Sequence, residues 1–166
     1  MKDMLDKISS YNLFNNLLPG ILFVCISKNF TDYNFIQENN FIGAFLYYFI
    51  GMVISRFGSL FLAPFLKWTS FLKFVDYKSF VSASKKDEKI ELLSEVNNTY
   101  RTISAMLIVL ILEKIYNYFQ VLWQITDKVS SFIVMVLVLA MFLFSYRKQT
   151  NFITKRINLK TKNKET

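Results

Sequence analysis

The chain has no histidine and a single cysteine, Cys25. The missing histidine removes the usual general base, the commonest metal ligand and the Ser-His and Cys-His nucleophile systems. One cysteine allows no intrachain disulfide and no zinc cluster. No paired-carboxylate motif takes their place. An enzyme is therefore not expected, and neither a cofactor nor a metal is. Glycine occurs 4 times and proline twice, so turns are scarce and the chain should be mostly helical.

What is abundant is apolar. Hydrophobic residues make up 53% of the 166 positions, aromatics 17%, and phenylalanine alone occurs 18 times. That composition fits a small multi-spanning membrane protein better than a soluble globule. A helix needs about 20 apolar residues to cross the hydrocarbon core of a bilayer. Four stretches qualify: 11–27, 41–66, 102–123 and 129–146. The expected fold is all-α, an integral membrane protein with four spans. It carries a helical cytoplasmic loop, 67–101, and a basic cytoplasmic tail, 147–166.

The first stretch contains Pro19-Gly20. Proline in a helix interior removes a ladder hydrogen bond, so a break is expected there. The polar Asn12, Asn15 and Asn16 would lie on a short entry half. Lys2 and Lys7 precede it as they would precede a signal peptide, but no Ala-x-Ala-like site follows. A retained helix is expected.

The net charge of +8 is unevenly spread. The loop carries Lys67, Lys73, Lys78, Lys85, Lys86, Lys89 and Arg101. The tail carries Arg147, Lys148, Lys155, Arg156, Lys160, Lys162 and Lys164. The segments 28–40 and 124–128 hold only Lys28 and Lys128. Basic residues concentrate on the cytoplasmic side of membrane proteins. Both termini and the middle loop are thus expected to face the cytoplasm, with Tyr116, Tyr118 and Trp123 in an outer interface belt.

In the loop, Trp68, Phe71, Leu72 and Val75 follow helical spacing. They suit an amphipathic helix at the membrane surface, or an extension of the second span packed on its neighbours. Ser84-Lys-Lys-Asp87 has the pattern of a capping box at a helix start. Lys85, Lys86, Glu91 and Glu95 follow as a charged face, either solvated or docking a soluble partner. Arg147 and Lys148 open the tail, where anionic lipid is the expected contact. The tail has one aromatic, Phe152, so direct nucleic-acid binding is not expected.

Two features lie inside the apolar stretches. Gly51, Ser55, Ser59 and Ala63 recur every fourth residue and form a stripe on which another helix can pack closely. Beside it sits Arg56. It precedes Lys67 by 11 residues, about 16 Å of helix, and Glu113 follows Arg101 by 12, about 18 Å. With Lys67 and Arg101 both at the cytoplasmic edge, Arg56 and Glu113 reach similar depth and are expected to pair, within one protomer or between two. Lys114 adds further options: a pair with Glu113 at a wet lumen, or a side chain that snorkels to the outer interface. The charges either lock helices together or line an ion path.

The phrases Tyr11-Asn-Leu-Phe-Asn-Asn-Leu-Leu-Pro-Gly20, Ser55-Arg-Phe-Gly-Ser-Leu-Phe-Leu-Ala-Pro64 and Ser94-Glu-Val-Asn-Asn-Thr-Tyr-Arg-Thr102 resemble small multi-spanning proteins of bacterial anti-phage defence loci. The four-span layout is similar to that of KwaA-like proteins, the membrane component of the Kiwa system. The resemblance implies a homo-oligomer, a tetramer, in the inner membrane, with a soluble cytoplasmic effector that acts on nucleic acid. It carries over no site residue. The expected function is a sensor or anchor coupling membrane disturbance to that effector. The alternative is an ion channel or pore-forming effector that depolarises the membrane.

Overall fold

The computed structural model describes residues 2–162, with side chains described for 13–161. Lys164 and the side chains of Lys2, Lys7, Asn12 and Lys162 lie outside the described set. The elements run α1 (Lys2–Phe30), α2 (Asn40–Phe57), a π-helical segment (Gly58–Leu62), α3 (Ala63–Trp68), α4 (Tyr77–Ser84), α5 (Lys89–Leu122) and α6 (Asp127–Lys162). Among the described residues there is no strand. α1, the continuous unit 40–68, α5 and α6 are each long and apolar enough to cross a membrane, so the chain has the makeup of a multi-pass membrane protein.

The ends of these helices are written in local chemistry. Asn39 caps α2, its side chain accepting from the backbone N–H of Phe41 at 2.9 Å and of Ile42 at 3.2 Å. α5 stops at a left-handed residue, Gln124, with φ 50°. There the Ile125 N–H donates to the Gln120 carbonyl at 2.9 Å and the Gln124 N–H to that of Val121 at 3.3 Å, a Schellman closure. Three residues later α6 begins.

Cross-helix contacts fix an up-and-down topology. Gly20 meets Tyr47 and Gly51 meets Asn16, so α1 and α2 are antiparallel. Asn15 pairs with Thr102 and Ser27 with Glu113, so α1 and α5 are parallel. Tyr116 bonds Ser130 and Gln120 bonds Asp127, so α6 returns antiparallel to α5. Connections 31–39 and 123–126 therefore share one end of the bundle. The 69–88 connection, the start of α1 and the end of α6 share the other.

Helices α1, α2 and α5 make the core. Phe23 and Val24 of α1, Ile54 and Leu62 of the α2–π unit, and Ala105, Met106 and Leu110 of α5 are buried together. The tightest seam is α1 on α2. A Cβ placed on Gly51 would sit 1.7 Å from the Asn16 carbonyl oxygen, and one on Gly20 1.8 Å from that of Tyr47. Only glycine lets the two backbones come this close.

Four expectations are corrected here. α1 runs unbroken through Pro19, which is fully buried and costs the ladder one bond without ending the helix. Asn15 and Asn16 are buried within the bundle, not set on an entry half. The stretch 67–81 is not one amphipathic helix: α3 ends at Trp68, Ser70 takes a left-handed φ of 59°, and 69–76 is irregular. A left-handed residue stops the helical periodicity, so Trp68, Phe71 and Val75 share no helix face, and all three are exposed. Finally, Ser84 does not start a helix. It closes α4, its hydroxyl donating to the Phe80 carbonyl, while Asp87 accepts from the Lys89 N–H at the head of α5. The helices run beyond the apolar stretches: α5 begins at Lys89 and α6 carries the tail as helix to Lys162.

Candidate functional site

The 40–68 unit changes its hydrogen-bond register beside Arg56. The Gly58 N–H reaches both the Ile54 and Ser55 carbonyls. The Ala63 N–H then bonds the Gly58 carbonyl, five residues back. In this π register the carbonyl of Ser59 would be served by residue 64. Residue 64 is proline and has no N–H. The orphaned carbonyl is served from another helix: Lys148 Nζ of α6 donates to the Ser59 carbonyl at 2.6 Å and to Ser59 Oγ at 2.8 Å. One proline in α3's first turn thus creates the acceptor that clasps α6.

Two further cations surround this clasp. Arg101 and Arg56 both lie close enough to Lys148 to repel its charge. Arg101 packs its stem against Gly58, where an added Cβ would stand 3.3 Å from Arg101 Cγ and 3.1 Å from Ala105 Cβ. The Arg56 Nε is buried and has no hydrogen-bond partner among the described residues. The site is a concentration of positive charge held by helix packing.

Glu113 belongs to the opposite end. Its Oε1 accepts from Ser27 Oγ at 2.9 Å, and Ser27 also contacts Thr31 Oγ1 at 3.2 Å. The Tyr33 hydroxyl bonds Gln120, whose Nε2 donates to Asp127 Oδ1 at 3.0 Å. The Tyr116 hydroxyl meets Ser130 Oγ at 2.9 Å, and Asn117 donates to Asp32. Asp32, Tyr33, Asn117, Gln120, Asp127 and Ser130 border an open groove of about 640 Å³ between the 31–39 connection, the head of α6 and α5. Among the described residues no three His, Cys, Asp or Glu side chains are grouped to hold a metal ion.

Within one protomer the expected Arg56–Glu113 pair is accordingly not formed. Arg101 is not at the edge of its helix; it lies 12 residues inside α5 and sits level with Gly58. Arg56 is therefore near Arg101, and Glu113 is about 18 Å further along α5. Lys67 and Arg101 do not mark one plane, and the expected depths rested on their doing so. Lys114 is exposed and places Nζ 5.7 Å from the centre of the Phe30 ring, a cation–π contact.

The small-residue stripe serves several neighbours rather than one. Gly51 takes α1, the buried Ser55 faces the core, Ser59 takes Lys148 of α6, and Ala63 is half-buried at the start of α3. Trp68 and Phe71 project outward, Lys85 and Lys86 are exposed between α4 and α5, and Glu91 is exposed while Glu95 is half-buried on the first turns of α5. Gly20, Gly58 and Pro64 were missed by sequence reasoning. The signal was present for the last: a proline five residues beyond a serine that a lysine must then serve. No protein-family model, curated protein or solved structure matches the chain.

Proposed function

We propose that this chain is the membrane-embedded sensor and anchor subunit of a bacterial anti-phage defence complex, as its resemblance to KwaA-like proteins implies. The observation that carries the reading is the clasp of Lys148 on Ser59. It joins a tightly packed three-helix core to α6, which continues from an apolar run into a basic helical arm. α6 leaves most of its apolar surface bare, so in a bilayer its position answers to lipid packing. A disturbance of the inner membrane would shift α6, strain the clasp, and move the arm and the Lys85–Glu95 surface on the cytoplasmic side. A soluble effector bound there would receive the signal. The bare face of α6 also offers room for further copies, in the homo-oligomer that the resemblance implies.

The test joins function to a partner. Cells carrying the whole locus with Lys148→Met should keep the protein in the membrane but lose protection against phage. Wild-type protein solubilised in mild detergent should retain a soluble protein encoded beside it. Full protection by Lys148→Met discards the clasp. Recovery of no such neighbour discards the anchor. The channel alternative loses its motive within one protomer, because Arg56 and Glu113 stand at opposite ends; a planar-bilayer current from activated protein would restore it.

A further inference from the structure

The basic arm of α6 and the π-helical segment enclose a groove of about 440 Å³. Its lining divides by chemistry. Leu60, Phe61 and Phe144 form an apolar floor, and Arg147, Lys148, Asn151 and Lys155 form a polar wall, with Phe152 between them. No acidic residue lines it. The wall residues recur at helical spacing, 144, 147, 148, 151, 152 and 155, so one face of α6 turns from aromatic to cationic within about three turns. The change falls where the apolar run ending at Tyr146 gives way to the basic arm, which is where headgroups would lie.

We propose that this groove binds an anionic phospholipid of the surrounding bilayer. The inference rests on the membrane reading above. The lipid phosphate would sit against Arg147 and Lys155, with Asn151 donating to its ester oxygens. An acyl chain would run over Phe144, Phe61 and Leu60. Lys148 has already committed its ammonium to Ser59 and holds the groove's wall in place. A zwitterionic headgroup would bring a second positive charge against this wall and is disfavoured. Free phosphate would gain the wall and leave the floor bare. An occupied groove would brace α6 against the π-helical segment, so the lipid and the clasp would act on the same joint.

Native mass spectrometry of the full chain in mild detergent tests this, with phosphatidylglycerol, phosphatidylcholine or inorganic phosphate added. Phosphatidylglycerol should be retained in preference to phosphatidylcholine. The double variant Arg147→Gln/Lys155→Gln should weaken that retention by about tenfold or more, because both cations facing the lipid phosphate are neutralised. Phe61→Gln should weaken lipid and leave phosphate unchanged. Equal retention of the two lipids, displacement of lipid by phosphate, or no response to the double variant each overturns the proposal. Carbonate-washed membranes separate failure of the site from failure of the membrane reading. Variants that stay in the membrane fraction while retention is lipid-blind refute the site alone; a wild-type chain that washes out refutes the membrane reading itself.

Discussion

α1 and α6 are both apolar helices, yet the bundle treats them differently. Of the most apolar 18-residue window in each, 39% is buried in α1 and 11% in α6. α1 meets α2 backbone to backbone through Gly20 and Gly51. α6 is fastened by polar side chains at its head, Asp127 and Ser130, and at mid-length, Lys148, with Phe142 stacked on Phe49 between them. In lipid the hydrophobic effect does not press helices together, so close packing and hydrogen bonds decide what is fixed. The glycine seam makes α1–α2 a single body. The fewer, mostly polar fastenings hold α6 to that body at separate points.

Removing the seam should have the largest effect. Gly51→Leu drives a side chain into the Asn16 backbone, and neither helix can yield without separating. The expected outcome is loss of monodisperse protein on size exclusion in detergent. Leu137→Ala, on the exposed face of α6, should leave elution and melting temperature unchanged. Comparable losses from both would erase the distinction between the two helices.

The clasp should come next. Lys148→Met removes a charged donor from the Ser59 carbonyl, a loss of about 1.5–3 kcal/mol for a hydrogen bond to a charged group. Pro64→Ala restores a backbone N–H at the position that created the orphan. The double variant should therefore melt close to Pro64→Ala alone. If Lys148→Met costs as much in the Pro64→Ala background as in the wild-type chain, the proline is not the source of the acceptor.

A charge swap sharpens the comparison of the two ends. Arg56→Glu leaves an acid beside Lys148 and Arg101, and Glu113→Arg places a cation against Ser27. The sites are about 18 Å apart along α5, so the two effects on melting temperature should simply add. Rescue of the single variants by the double would require a contact between copies.

The four long helices were legible because apolar runs depend only on composition along the chain. Gly51 was legible as a close-packing residue for the same reason. What it packs against was not, since Gly20 lies on a helix that Pro19 seemed to break. Depth was misread because it is set by where helices touch. Arg101 looked like the start of a span, but α5 had already run about three turns, and Gly58 pinned it level with Arg56. The π-helical segment was invisible to any reading that assumes one hydrogen-bond register throughout, although Pro64 carried the information.

The smallest expected effect lies outside both helices, at the cap of α4. The Asp76 carboxylate accepts from the Ser79 hydroxyl and from the Ser79 N–H at 2.9 Å. The hydroxyl first, and then the N–H, hold its pKa below the usual 3.8. Its charged form is thus favoured in the folded state. The contribution is fully present above the unfolded value and is lost as pH falls through the lowered one. α4 bears on α6 through Tyr77, whose ring centre is 5.7 Å from that of Phe152. Hydrogen exchange in mild detergent should show α4 amides protected at neutral pH and released in acid below the usual carboxylate range. Asp76→Ala should release them at every pH, and Ser79→Ala should shift the transition upward. If exchange around Phe152 rises with that of α4, the capped turn helps brace α6's basic arm. If only α4 responds, the arm is held by Lys148 and the groove beside it.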